Sequence, residues 1–239
     1  MFYLIGLLIL ALGIIMNTKA GLGVSPIISV SYSISTIGQF NFGNTTLALY
    51  SFYLLAEIIL HLFHARRCRK RGKPPERSLS TLLLLDILQF PLSLVFTRFL
   101  NWFGQWIPDL TLSCQGSFWG TMTGRILFLL VAIILTGVGS ALSLNMRLIP
   151  NPGDGIVQAI ADTSGKRLGF CKNLFDLGNV TVTLLVSLAA SGHIIGIGLG
   201  TILSVLGVGR VIAVFHHFFF RPLASLTGLL PPSQASQTP

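Results

Sequence analysis

Charge is what this sequence has least of. Only 10% of its 239 residues are charged, against roughly 25% in an ordinary soluble domain, so there is too little to coat a water-facing surface. Acidic residues are rarer still, 7 Asp and Glu against 16 Lys and Arg. The three cysteines, Cys68, Cys114 and Cys171, form no CxxC pair and are odd in number, which excludes a disulfide framework and a tetrahedral zinc site and leaves free thiols. No nucleophile elbow, phosphate loop, metalloprotease helix or kinase signature occurs, so an enzyme, a catalytic residue and a cofactor are not expected. His61 and His64 share a helix face and His216 adjoins His217, but no third ligand stands at metal spacing along the chain. They are expected as interfacial side chains, with no metal.

What fills the sequence is apolar. Hydrophobic residues make up 52% of it and the mean hydropathy is +0.77. Runs long enough to cross a hydrocarbon core of about 30 Å, which takes about 20 helical residues, occupy 2–17, 45–64, 79–100, 123–146, 170–191 and 197–220. Backbone groups cannot go unpaired in lipid, and the runs lack the alternation of a barrel strand. The expected fold is therefore all-α: one membrane domain, 1–239, of about six spans, with the lipid bilayer as its main partner and 223–239 as a flexible tail.

Seven basic residues lie between Arg66 and Arg77, joining two apolar runs. Without an aromatic-interleaved or groove-reading module this cluster speaks for cytoplasmic orientation and against nucleic acid.

Two shorter segments, Ile27 to Ile37 and Gly155 to Thr163, each follow a cluster of helix breakers. The first cluster runs Gly21 to Pro26 and includes Gly23; the second runs Pro150 to Gly155 and includes Pro152, Gly153 and Asp154. Such breaks expose backbone groups and predict short broken or re-entrant helices. Pro26 and Pro152 stand 126 positions apart, as do Gly43 and Gly169, and the order of breaker, short helix, glycine turn and long helix recurs. An internal duplication is expected, 1–115 against 116–222. An odd number of spans per half turns the second half upside down, and the charges agree. With the Arg66–Arg77 loop inside, the first cluster lies outside with only Lys19, and the second lies inside with Arg147, Lys166, Arg167 and Lys172. Both termini are then cytoplasmic and the Trp102–Trp119 loop external.

Ionisable groups within spans are costly unless paired or hydrated, which makes Glu57, Asp86, Asp176 and Arg210 candidate substrate-binding residues, joined by Asp154 in the second cluster. A rise of 1.5 Å per residue puts the four span residues about 10 to 15 Å deep on one side. One charged group is expected there, with Arg210 neutralised by Asp86 or Glu57, and Lys172 and Asp176 pairing along one helix face. Free backbone groups at Gly21, Gly23, Pro26, Pro152, Gly153 and Gly155 are the second candidate binding element. Gly192, Gly196, Gly198, Gly200, Gly207 and Gly209 are expected to let helices approach closely.

These features resemble the YitT/YczE family of bacterial integral membrane proteins. Lys19 to Pro26 is similar to its first-half signature, Pro152-Gly153-Asp154-Gly155 with Gly165 to its second-half signature, and Ile195 to Thr201 to the glycine-threonine element before its last helix. The Trp102–Trp119 loop does not match. The resemblance implies a bacterial inner-membrane location and brings no established substrate. Three roles are open: a small-molecule or ion transporter with a polar site between inverted halves, a non-transporting accessory protein that stabilises a membrane partner or forms a homo-oligomer, and a substrate-capturing subunit of a larger transporter.

Overall fold

The computed structural model describes residues 2–70, 78–145 and 149–226; the Arg71–Arg77 part of the basic loop, Arg147 and 227–239 lie outside the described residues. Every element among them is helical: α1 (Phe2–Lys19), α2 (Pro26–Gly38), α3 (Phe42–Lys70), α4 (Leu79–Trp106), a 3-10 turn (Phe118–Gly120), α5 (Met122–Asn145), α6 (Pro152–Ser164), α7 (Leu168–Ser191) and α8 (Leu199–Leu226). The order long, short, long, long occurs twice. α8 continues beyond residue 223 to Leu226, into the segment expected as a tail.

Four helices, α3, α4, α5 and α7, are long and apolar enough to cross a bilayer, and α1 and α8 contain shorter apolar stretches. Beside an apolar core that includes Leu7, Ile14, Ile28, Phe96 and Leu100, burial departs from that of a soluble protein in two ways. Phe52, Phe63, Ile87, Leu185 and Ile202 face outward while Ser29, Ser31, Ser33, Thr46, Gln89 and Thr183 are fully enclosed. In lipid, apolar surface gains nothing from being hidden, whereas polar groups must find partners inside, so this distribution is that of a helical membrane bundle.

The breakers have definite positions. Pro26 and Pro152 open α2 and α6, where a missing N–H costs nothing. Both short helices close on a left-handed residue, Gln39 (φ 53) and Gly165 (φ 67), whose amides bond back to Ser35 and Ala161. Gln39 carries the side chain that makes this conformation unusual, while Gly165 reaches it freely.

α1 and α5 form the central contact, and glycine sets its distance. A Cβ on Gly13 would lie 2.5 Å from Thr136 N, and one on Gly139 would lie 2.4 Å from Leu10 N. Gly6 meets Leu142 and Gly13 meets Thr136, so residue numbers rise along one helix as they fall along the other, and the pair is antiparallel. α4 runs parallel to α1, with Tyr3 and Leu7 beside Leu92 and Phe96 and with Ile15 beside Gly104. α8 runs parallel to α5, with Ile133 against Gly207 and Gly137 against Val211. α2 lies parallel to α7 through Ser29–Thr183 (2.7 Å) and Ser33–Ser187 (2.8 Å). α6 lies parallel to α3, with Gly155 at Glu57 and Thr163 O at Arg67.

The loops sort by end. Leu110 N donates to Lys19 O, which puts the α4–α5 loop beside the end of α1. Arg67 reaching Thr163 puts the 165–167 turn at the opposite end, beside the basic end of α3.

Candidate functional site

α3 and α4 run antiparallel and place two pairs of polar side chains opposite each other inside the protein. Glu57 and His61, four apart, share one face of α3; Asp86 and Gln89, three apart, share the facing side of α4. All four are buried, Glu57 at 2% and Asp86 at 1% exposure. His61 Nδ1 and Asp86 Oδ2 are 2.9 Å apart, and Gln89 Nε2 donates to Glu57 Oε1 at 3.0 Å. Glu57 Oε2 and Gln89 Oε1 have no hydrogen-bond partner among the described residues. Glu57, His61 and Asp86 each bring one ligand-type atom into a group whose members all lie within 4.8 Å of one another.

The broken helix α6 closes this group from the other side. A Cβ on Gly155 would stand 2.6 Å from both Glu57 carboxylate oxygens, so the carboxylate rests directly on the α6 backbone near its N-terminal end. Asp154 N and Gly155 N are occupied by Asn151 O, so the contact is one of packing and of the helix N-terminal field, which favours a carboxylate. Any larger residue at position 155 would evict the side chain of Glu57.

The charged residues expected to gather in one cluster divide into three groups. Glu57 and Asp86 meet with His61 and Gln89 as described. Asp176 pairs with Lys172 at 3.1 Å along α7, the i, i+4 pair expected from the sequence, and Asp154 interacts electrostatically with both. Arg210 is exposed on α8 and makes no hydrogen bond or ion pair among the described residues. The expected neutralisation of Arg210 by Asp86 or Glu57 is therefore corrected: those acids face Gln89 and His61, because depth along a helix does not fix the direction in which a residue points around it. His61, expected at the interface, is buried at 6% exposure. The chain spacing of histidines hid its role, since the residue that completes the group, Asp86, sits on the next helix.

The breaker glycines also serve different ends. Val24 N donates to Gly196 O (2.9 Å) and Gly200 N to Leu22 O (2.6 Å), locking the first loop to the glycine run before α8. A Cβ on Gly23 or Gly198 would collide with this crossing, the close approach expected of the run. Pro26 is buried at the start of α2, and Gly153 packs on Ile27, so the two short helices meet near their first turns. Arg125, not singled out by the sequence, bonds Ala20 O through Nε (2.8 Å) and Gly21 O through Nη2, capping the end of α1. Its position four residues into an apolar helix was the available signal.

A cavity of about 360 Å³ opens between α3, α6 and α7, lined by Tyr53, Ile160, Leu174, Phe175, Asn179 and Val182 among others. None of Glu57, Asp86, Asp176 or Arg210 lines it.

The chain is 27% identical over 218 residues to the "Uncharacterized protein YyaS" of Bacillus subtilis (strain 168), a similarity covering 90% of each. No solved structure matches. A family described as a family of unknown function, DUF6198, matches residues 1–217, a stretch that holds both breaker loops, the buried group and all eight helices but for the end of α8. The chain belongs to the DUF6198 family.

Proposed function

We propose that the chain is a small-molecule or ion transporter of the bacterial inner membrane, built from two halves of opposite orientation around a polar seam and related to the YitT/YczE group. Six helices, α1, α3, α4, α5, α7 and α8, cross the bilayer in this reading, while α2 and α6 are the broken elements. Both termini lie on the cytoplasmic side, with the basic end of α3 and the 165–167 turn.

The repeat is supported by contacts that map onto each other at one fixed offset. Tyr53 bonds Asn179, a pair 126 residues apart, and Ile27 packs on Gly153 at the same separation. Ser29 against Thr183 has its counterpart in Gly155 against Glu57, and Gly13 over Thr136 has its counterpart in Gly139 over Leu10. Residues that meet their own equivalents lie on a local two-fold axis. The antiparallel course of α1 and α5 then speaks for an axis in the membrane plane, the relation found in inverted-repeat transporters.

The observation that carries the functional reading is Glu57: a carboxylate inside the bundle, seated on a broken helix, with one oxygen given no hydrogen bond among the described residues. At the position equivalent to Glu57 the other half has Thr183, fully hydrogen-bonded to Ser29 and Asn179. The two halves thus share a scaffold and differ in charge, as expected of a site evolved in one copy. A purified sample in detergent, screened by thermal shift against metabolites and ions, tests this. A ligand should stabilise the wild type and Arg210→Ala but not Glu57→Gln. Stabilisation that persists unchanged in Glu57→Gln removes the buried group from the site.

The apolar cavity favours a second reading, a non-enzymatic accessory protein that stabilises a membrane partner or its own oligomer, because the space open to a ligand avoids the acids. In that case no ligand stabilises the protein, and a partner protein does.

A further inference from the structure

Glu57, His61 and Asp86 present two carboxylates and one imidazole to a common centre in which no Lys or Arg among the described residues forms an ion pair. A low-dielectric interior does not tolerate such a surplus of negative charge, which must be neutralised by a proton or by a bound cation. The His61–Asp86 hydrogen bond accounts for one carboxylate. Among the described residues it leaves Glu57 Oε2 and Gln89 Oε1 without a hydrogen-bond donor, although both residues are at least nine-tenths buried.

We propose that this group binds a single divalent first-row transition-metal ion, with Glu57, His61 and Asp86 as its protein ligands. The proposal rests on reading the group as the functional centre, and does not depend on transport. Ligand atoms held about 2.0 to 2.2 Å from one ion lie about 3 to 4.3 Å from each other. Here Nδ1 and Oδ2 are 2.9 Å apart and the three ligand atoms all lie within 4.8 Å of one another, so small side-chain shifts that exchange the His61–Asp86 hydrogen bond for two bonds to the ion bring the set to these distances. Two carboxylates, a neutral imidazole and a divalent ion sum to zero charge. The imidazole selects against calcium and magnesium, which take oxygen ligands, and the absence of a thiolate from the group selects against copper(I). Gln89 supports the arrangement by donating to Glu57 Oε1, which fixes the carboxylate while leaving Oε2 for the ion. Gly155 supports it by leaving room for that carboxylate.

A rival lies on the same helix. His64 Nε2 and Cys68 Sγ are 3.4 Å apart and only partly buried, and could capture metal adventitiously. The test therefore uses full-length protein in detergent, stripped with chelator and titrated with Co²⁺, followed by visible absorption and thermal shift. The variants are Glu57→Gln, Asp86→Asn and the double variant His64→Ala/Cys68→Ala. One equivalent of Co²⁺ is expected in the wild type and in His64→Ala/Cys68→Ala, with affinity about tenfold weaker or worse in the two acid variants. X-ray absorption of the Co²⁺-loaded wild type, which needs no variant to fold, should show nitrogen and oxygen neighbours only. Sulfur in the coordination shell, binding lost in the His64/Cys68 variant, or affinity unchanged in both acid variants overturns the proposal, as does failure of the folded wild type to bind. Failure of vesicles containing the protein to take up the bound ion or any solute contradicts the transporter reading alone.

Discussion

Tyr53 donates its hydroxyl hydrogen bond to Asn179 Oδ1, joining α3 to α7 in the interior between two residues 126 positions apart. Asn179 turns its amide nitrogen to Phe175 O, so its oxygen depends on the tyrosine. Tyr53→Phe removes the hydroxyl that reaches this oxygen and should lower stability in detergent by about 1 kcal/mol, within the usual range for interhelical hydrogen bonds in membranes. Replacing both partners, in Tyr53→Phe/Asn179→Leu, should recover part of the loss because no orphaned acceptor remains. Thermal unfolding of the two variants measures this; additive losses would show that the two residues do not act as a pair.

Gly155 and Glu57 are coupled by space. Gly155→Ala puts a methyl group where the Glu57 carboxylate sits and should cost about 1 to 3 kcal/mol, the range for overpacking a close contact. In a Glu57→Ala background the same substitution should cost far less, since its obstacle has gone. A double-mutant cycle on unfolding midpoints reads the coupling directly. A Gly155→Ala penalty of equal size in both backgrounds would place the carboxylate away from α6.

Two arginines should behave in opposite ways. Arg125 caps the carbonyls of Ala20 and Gly21, and Arg125→Gln should destabilise by about 1.5 kcal/mol, as expected for lost charge-assisted hydrogen bonds. Arg210 has no ion pair or hydrogen bond among the described residues, and Arg210→Gln should leave the melting temperature unchanged or slightly raised. A large loss in Arg210→Gln would mean that it pairs inside the bundle after all.

The contrast between these arginines marks how far the sequence could be read. Helices and their breaks were legible because lipid imposes length and composition one segment at a time: the apolar runs became α1, α3, α4, α5, α7 and α8, and the Pro26 and Pro152 clusters became the starts of α2 and α6. Lys172–Asp176 was legible because both partners sit on one helix face. The Glu57–His61–Asp86 group was only half legible. Its acids stood out as charges within spans, but their meeting with His61 depends on the rotation of α3 against α4, which no residue spacing within one helix encodes. Arg210 misled for the same reason. The glycines that hold α1 on α5, Gly6, Gly13 and Gly139, are ordinary small residues in apolar runs until the facing backbone is known.

The proposed arrangement of opposed halves predicts that Gln115, in the α4–α5 loop, and Arg167, before α7, lie on opposite faces of the membrane; both are exposed. In a background with Cys68, Cys114 and Cys171 replaced by serine, Gln115→Cys and Arg167→Cys are each treated in intact cells with a membrane-impermeant thiol reagent, before and after permeabilisation. Gln115→Cys should react in intact cells and Arg167→Cys only after permeabilisation. Labelling of both from the same side would contradict the inverted arrangement.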